Sequence, residues 1–300
     1  MDSSKIKNKG VRALSLLIVL FLATGCATMT PRSLYPKFFE QKTKISKVEI
    51  LCDFLLAEDI SGNVDMIHVP RSIEKGNMLL GAFSQSFQSK DYQVTRKEIV
   101  SMGLGMGLST QVYKVAQTNS DKKKEDLLET ALPAYVNETF VSTPEKRAAL
   151  EVTLTRLRLY TKISSSSIVE IPEIVALADP NVDALLMVVM NGRRIPMGKT
   201  LGQAFLSATL TMGLVAAAQT SSLQMGMYLL DSKTGEIIWS DNYAVGDGSV
   251  ISGHYSGSSG EAASFKDKVL KKVAAKMVSK IPGRLEEIDS KVIRKNRTGG

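Results

Sequence analysis

The chain of 300 residues holds only two cysteines, Cys26 and Cys52, and two histidines, His68 and His254. That scarcity removes a zinc centre, which draws its ligands from closely spaced Cys and His, and it removes a disulfide framework. Either histidine reads as a solvated loop residue. No Gly-x-Ser-x-Gly nucleophile elbow occurs. The glycine-rich stretch Met102 to Leu108 (MGLGMGL) lacks the Lys-Ser/Thr ending of a phosphate-binding loop. The adjacent carboxylates Glu286 and Glu287 lie beyond the last core helix, where little can tune their pKa values. No catalytic residue, cofactor-binding residue, metal ligand or small-molecule substrate is therefore expected, although a Ser-His-Asp hydrolase assembled in space stays open.

Strong charge is also missing. Of the formal +8, four cations and one aspartate fall within Met1 to Gly25, so the remainder carries +5. A nucleic-acid footprint needs clustered cations. The clusters present are Lys122 to Lys124, Lys266 to Lys276 on an expected helix, and Lys291 to Arg297. Solvated faces and a polar tail account for them, with attraction to anionic lipid or wall polymer as the second reading and no nucleic acid as a partner.

The amino end is distinctive. Lys5, Lys7, Lys9 and Arg12 precede the apolar run Ala13 to Leu22 (ALSLLIVLFL), which is the pattern of a signal peptide. The run is too short to cross a hydrocarbon core of ~30 Å comfortably, which makes a retained anchor the lesser reading; a plain secretory signal is another. Its end, Leu22-Ala23-Thr24-Gly25-Cys26, resembles the lipobox of bacterial lipoproteins, with Ala23 where leucine is common. The resemblance implies a diacylglyceryl group on the Cys26 thiol, cleavage before Cys26 and acylation of the new amino terminus. At ~0.8 kcal/mol per buried methylene, one chain holds marginally and several hold durably. Ala27, Thr28 and Met29 follow, without the aspartate that retains enterobacterial lipoproteins in the inner membrane. The implied location is the periplasmic face of the outer membrane. Cys52 is then the only free thiol, set in an apolar alternation as a small buried hydrophobe.

Along the body the pattern predicts an α/β (α+β) fold. Residues 26–44 read as a lipidated tether, 45–283 as a single envelope domain and 284–300 as a polar tail. Val48, Ile50, Cys52 and Phe54 alternate with Glu49 and Asp53 as in a half-buried strand. A turn around Ser61-Gly62-Asn63 leads to a helix starting near Pro70 and Ser72, with Ile73, Leu80, Phe83 and Phe87 on one face. Tyr92 to Thr95 is a second short strand, and the glycines of Met102 to Leu108 permit close approach of another backbone. Ser120 to Ala131 is helix-prone, and a further helix opens at Thr143-Pro144-Glu145. Leu150 to Ile163 fits a bulged strand as well as a helix. Pro172 to Ala178 is a short helix and Asp179-Pro180-Asn181 a turn. Ala184 to Met190 is a central strand buried on both faces. Leu201 to Ala218, apolar and rich in small residues, reads as a buried or oligomer-facing helical insertion, with a transmembrane helix as the minority reading. Gln224 to Val245 is a hairpin whose Gly235 supplies a positive φ. Glu261 to Ile281 is an amphipathic helix with Phe265, Val269, Val273, Met277 and Ile281 on its apolar face, stopped by Pro282-Gly283.

Asp183 to Val189 and Leu230 to Trp239, in this order of elements, resemble a group of envelope domains. The group includes the curli secretion channel lipoprotein, lipoprotein activators of penicillin-binding proteins and the N-terminal domain of the Tol-system propeller protein. The resemblance implies a compact sandwich of a mixed sheet with helices packed on it, and it carries no catalytic residue. Met102 to Pro144 has no counterpart in it. The expected function is a non-enzymatic, lipid-anchored assembly or accessory module of an envelope machine, for secretion or wall synthesis, that self-associates or docks on an envelope protein. The alternatives are a pore or secretion-channel subunit inserting Leu201 to Ala218 and Met102 to Leu108 into lipid, and a periplasmic hydrolase.

Overall fold

The structure is a computed structural model that describes residues 41–61, 64–106, 113–116, 128–160, 170–194, 222–245, 267–281 and 283–285. Its centre is β1 (Lys47–Ser61), whose two edges are both occupied. One edge runs parallel to β7 (Ala184–Arg194) from Val48 to Glu58. The other edge is shared: β3 (Gln93–Met102) lies parallel to its first half, and β2 (Val64–His68) pairs antiparallel with its second half. Beyond β7 come β8 (Ser222–Asp231) and β9 (Ile237–Val245), each antiparallel to its neighbour. Beyond β2 come β4 (Tyr113–Ala116) and β5 (Leu128–Thr130), and β6 (Tyr135–Val136) pairs with β3. Among the described residues the result is one mixed sheet of nine strands, an α/β arrangement as expected.

Among the described residues three helices cover it. On one face lie α1 (Val69–Gln88) and α3 (Asp267–Ser279). Leu79, Leu80, Phe83 and Phe87 of α1, with Leu270, Val273, Ala274, Met277 and Val278 of α3, bury against Ile50, Cys52, Phe54, Leu186, Val188, Met225 and Met227. Each fully buried Leu, Val, Met or Phe contributes about 1.5–3 kcal/mol relative to exposure. α1 comes close to β3 at Gly76, where a Cβ would stand 2.5 Å from Ile99 Cδ1 and make that side chain shift. On the opposite face α2 (Pro144–Tyr160) packs Leu150, Leu154, Leu157 and Tyr160 against Leu51, Leu185, Met187, Tyr228 and Leu230, together with the 3-10 turn Pro172–Ala176.

The ends of the helices follow local chemistry. The backbone N–H of Lys146 donates to Thr143 Oγ1 at 3.3 Å, the N-cap bond that Thr143-Pro144 announces. Lys90, just past α1, donates from Nζ to the Ser279 carbonyl at 3.3 Å and to the Ile281 carbonyl, which supplies both a donor and a positive charge at the carboxyl end of α3. At the β8–β9 turn Gly235 has φ 75° and is pressed against Ile171, leaving no space for a Cβ.

Several expectations change. Between the expected turn and helix, residues 64–68 form a strand, so His68 sits half-buried at the junction of β2 and α1 instead of in a solvated loop. The short strand at Tyr92 extends as β3 to Met102, through Arg96, Lys97 and Glu98, whose charges hide the period. The stretch Leu150 to Tyr160 is helix: Leu150, Leu154 and Leu157 point inward at helical spacing while Val152 and Leu159 stay exposed. The end of the supposed helix Ser120 to Ala131 is strand β5. In α3 the apolar face is wider than expected, adding Leu270, Ala274 and Val278. Among the described residues no helix is long and apolar enough to cross a membrane; the leader run and Leu201 to Ala218 lie outside them.

Candidate functional site

Alternation along β1 sends Val48, Ile50, Cys52 and Phe54 to the α1/α3 face and Glu49, Leu51, Asp53 and Leu55 to the other. Both carboxylates were expected on a wet face, yet Glu49 is 0% and Asp53 1% exposed. A strand with both edges paired and both faces covered has no wet side. A buried carboxylate demands partners, since its unpaired charge would cost several kcal/mol. Each of these two finds a full set.

Glu49 Oε1 accepts from the Arg96 guanidinium on β3, and Oε2 accepts from the backbone N–H of Asp179 at 3.0 Å. Arg96 also donates to the Leu177 carbonyl at 3.3 Å and lies 5.1 Å from the centroid of the Phe140 ring. The pair thus ties β1 and β3 to the turn that leads into β7.

Asp53 organises the glycine stretch. Its Oδ1 accepts from Ser101 Oγ at 2.6 Å and from the Leu104 N–H at 3.2 Å; its Oδ2 accepts from the Gly105 N–H at 2.8 Å. Gly103 has φ 85°, and the chain turns at Leu104–Met106 into a 3-10 turn that directs its N–H groups at the carboxylate. Gly105 has no room for a side chain: a Cβ would stand 2.8 Å from Val189 Cγ1 and 2.9 Å from Asp53 Oδ2. Arg158 of α2 donates to the Met106 carbonyl at 2.8 Å and holds the turn from outside. Burial raises the Asp53 pKa above the usual carboxylate value, and the bonds from Ser101, Gly105, Leu104 and Gly103 oppose that rise. Gly105 does serve close approach, but to a carboxylate and a valine side chain rather than to another backbone, and Gly103 faces the Leu132 side chain; Gly107 lies outside the described residues.

This arrangement holds a turn in place; it does not present a reactive group. Both Asp53 oxygens already accept hydrogen bonds, and the carboxylate is sealed between β1 and the turn, so it has no route to a substrate proton. Cys52 is fully buried on the opposite face. Burial, and secondarily the charge of Asp53, push its thiol pKa well up, which leaves the thiolate needed for nucleophilic chemistry unpopulated. Tyr160 and Tyr228 meet edge to face at 6.0 Å, and burial with the neighbouring Tyr160 raises the Tyr228 pKa. Among the described residues no cluster of three or more His, Cys, Asp or Glu could hold a metal ion.

The residue singled out for lipidation, Cys26, lies outside the described residues, as do His254, Glu286, Glu287 and the insertion Leu201 to Ala218. The sequence signals for the Asp53 turn were the carboxylate in an apolar strand and the unusual MGLGMGL, separately visible but joined only by the pairing of β1 with β3. Comparison with protein-family models, with curated proteins and with solved structures finds no match to this chain.

Proposed function

We propose that the protein is a lipid-anchored, periplasm-facing lipoprotein of the outer membrane, acting without catalysis as an assembly or accessory module of an envelope machine. The observation that carries this reading is the amino-terminal pattern of cations, apolar run and small residues ending at Cys26. What supports the non-catalytic part is that the buried carboxylates Glu49 and Asp53 are engaged in holding β1, β3 and the glycine turn. A module of this kind works through its surface and its tether. Such a surface binds either a second copy or another envelope protein.

Crosslinking in intact cells followed by purification in detergent tests the reading. It requires recovery either of a multimer or of a defined envelope protein with the chain in the outer-membrane fraction. A monomer recovered alone from the soluble fraction contradicts it.

A further inference from the structure

We infer that the outer face of α2 is the surface on which a second copy of this chain docks, with the two α2 helices side by side and parallel about a two-fold axis. Self-association is one half of the function proposed above, and this pairing deepens it; the contacts themselves do not depend on lipid at Cys26.

The first observation is where apolar surface remains exposed. Of the large apolar side chains exposed among the described residues, Val152 and Leu159 lie on α2 and Val175 on the 3-10 turn beside it, while Leu128 and Leu285 lie elsewhere. Ala148 and Thr155 are exposed as well, so Ala148, Val152, Thr155 and Leu159 form a stripe with spacings of four, three and four. Those are the core spacings of a heptad. At 3.6 residues per turn the stripe points directly away from Leu150, Leu154 and Leu157, which face the sheet. A helix of this kind ordinarily presents charge on its outer side.

The second observation is the charge along the stripe. Glu151 borders it on one flank and Arg156 on the other, the g and e positions of the same heptad frame, which set partner and orientation in paired helices. In a parallel pair Glu151 of each copy faces the partner's Arg156, five residues on, and the two-fold axis makes this contact twice. Within one chain both side chains are held only at the surface. Glu151 is 51% exposed and lies 3.5 Å from Arg147; Arg156 is 44% exposed and lies 2.9 Å from Glu173. Exposed pairs of this kind contribute little and exchange readily.

The third observation fixes the orientation. In an antiparallel pair Glu151 would have to meet the partner's Arg158, at the other g position. Arg158 is half-buried and donates to the Met106 carbonyl at 2.8 Å, so it is committed to the glycine turn. The parallel pair draws instead on the exposed Arg156. Arg156 also reaches the Glu170 carbonyl at 3.5 Å, which sets the 3-10 turn and its exposed Val175 on the same flank and extends the apolar surface there. A foreign helix would need to match the stripe and both flanks, whereas a second copy does so by symmetry. Two heptads bury less than the about 800 Å² per partner of a standing interface, so the pairing is reversible and concentration-dependent.

Disulfide trapping on the full-length chain, purified in detergent, tests this. Val152→Cys and Leu159→Cys, each on the exposed stripe, should form dimers under mild oxidation about tenfold faster than Lys272→Cys, exposed on α3 across the sheet. The chain without an introduced cysteine reports any background from Cys26, since Cys52 is buried. Antiparallel helices would hold the two thiols introduced at position 159 about 16 Å apart. Trapping of Leu159→Cys no faster than the control therefore overturns the proposal. Glu151→Arg or Arg156→Glu, each added to the Val152→Cys chain, should slow trapping about fivefold, and both together should restore it. Charge pairs acting only within one chain predict the opposite, because the double change sets like charges beside Arg147 and Glu173. Failure of the double variant to recover overturns the proposal. So does maleimide labelling of the dilute Val152→Cys chain about tenfold slower than that of Lys272→Cys, which means that the chain's own residues cover the stripe. Rapid labelling without trapping at any concentration overturns it too and gives the face to a different protein. Crosslinking in intact cells reports on such a protein separately, so the accessory-module reading survives the failure of this pairing.

Discussion

The two faces of β1 are built from the same strand by opposite means. Towards α1 and α3 the contacts are apolar without interruption, from Val48 through Cys52 to Leu56. Towards α2 the same strand carries Glu49 and Asp53, each sealed and each answered by cations, hydroxyls or N–H groups from elsewhere in the chain. The first face is held by area and packing, which tolerate small shifts. The second is held by directional bonds that fix a particular turn against a particular strand, and a missing partner there leaves a charge with no solvent. Position along the chain becomes well defined on the polar side, at the glycine turn and at the turn before β7.

Substitutions separate the two modes. The largest loss is expected on the apolar face: Phe83→Ala should lower unfolding free energy by about 4 kcal/mol in denaturant titration, through the cavity it leaves. Arg96→Ala should cost about 3 kcal/mol, because Glu49 is left buried without its cation. That value sits at the low end for a buried pair, since the guanidinium is 37% exposed and the Asp179 N–H remains. A similar loss from Arg96→Met as from Arg96→Ala would point to the charge, and recovery in Arg96→Met would point to packing. Gly105→Ala should cost about 2 kcal/mol by crowding Val189 and Asp53.

The smallest loss belongs to Asp53→Asn, about 1–2 kcal/mol, as an amide N–H comes to face the backbone N–H of Leu104 or Gly105. It also changes the pH dependence. The folded pKa of Asp53 is raised, so the folded state binds its proton more tightly than the unfolded chain does. The associated stability is fully present below the unfolded value near 3.8 and is lost as pH rises through the folded one. The stability difference between wild type and Asp53→Asn should therefore shrink with rising pH across that window, and a difference that grows would reverse the assignment.

Much of this architecture is legible in the residues. The strand Ala184 to Met190, the hairpin turning at Gly235 and the helix faces of α1 and α3 follow from continuous apolar runs, a glycine turn and a 3.6-residue period. The glycine turn was legible as a place of close approach. Its carboxylate partner was not, because period-two alternation tells which residues share a face and cannot tell whether that face meets water. Glu49 and Asp53 look solvated until β3 and α2 are in place. Charge at Arg96, Lys97 and Glu98 likewise hid most of β3, and Val152 and Leu159, exposed on α2, gave that helix a false two-residue alternation.

The proposed envelope role depends on what becomes of Cys26. Mass spectrometry of the amino-terminal peptide from native membranes addresses it most directly. The expected peptide begins at residue 26, with a diacylglyceryl thioether on its sulfur and an acyl amide on its nitrogen. An unmodified thiol, with the leader retained or removed at another bond, contradicts it.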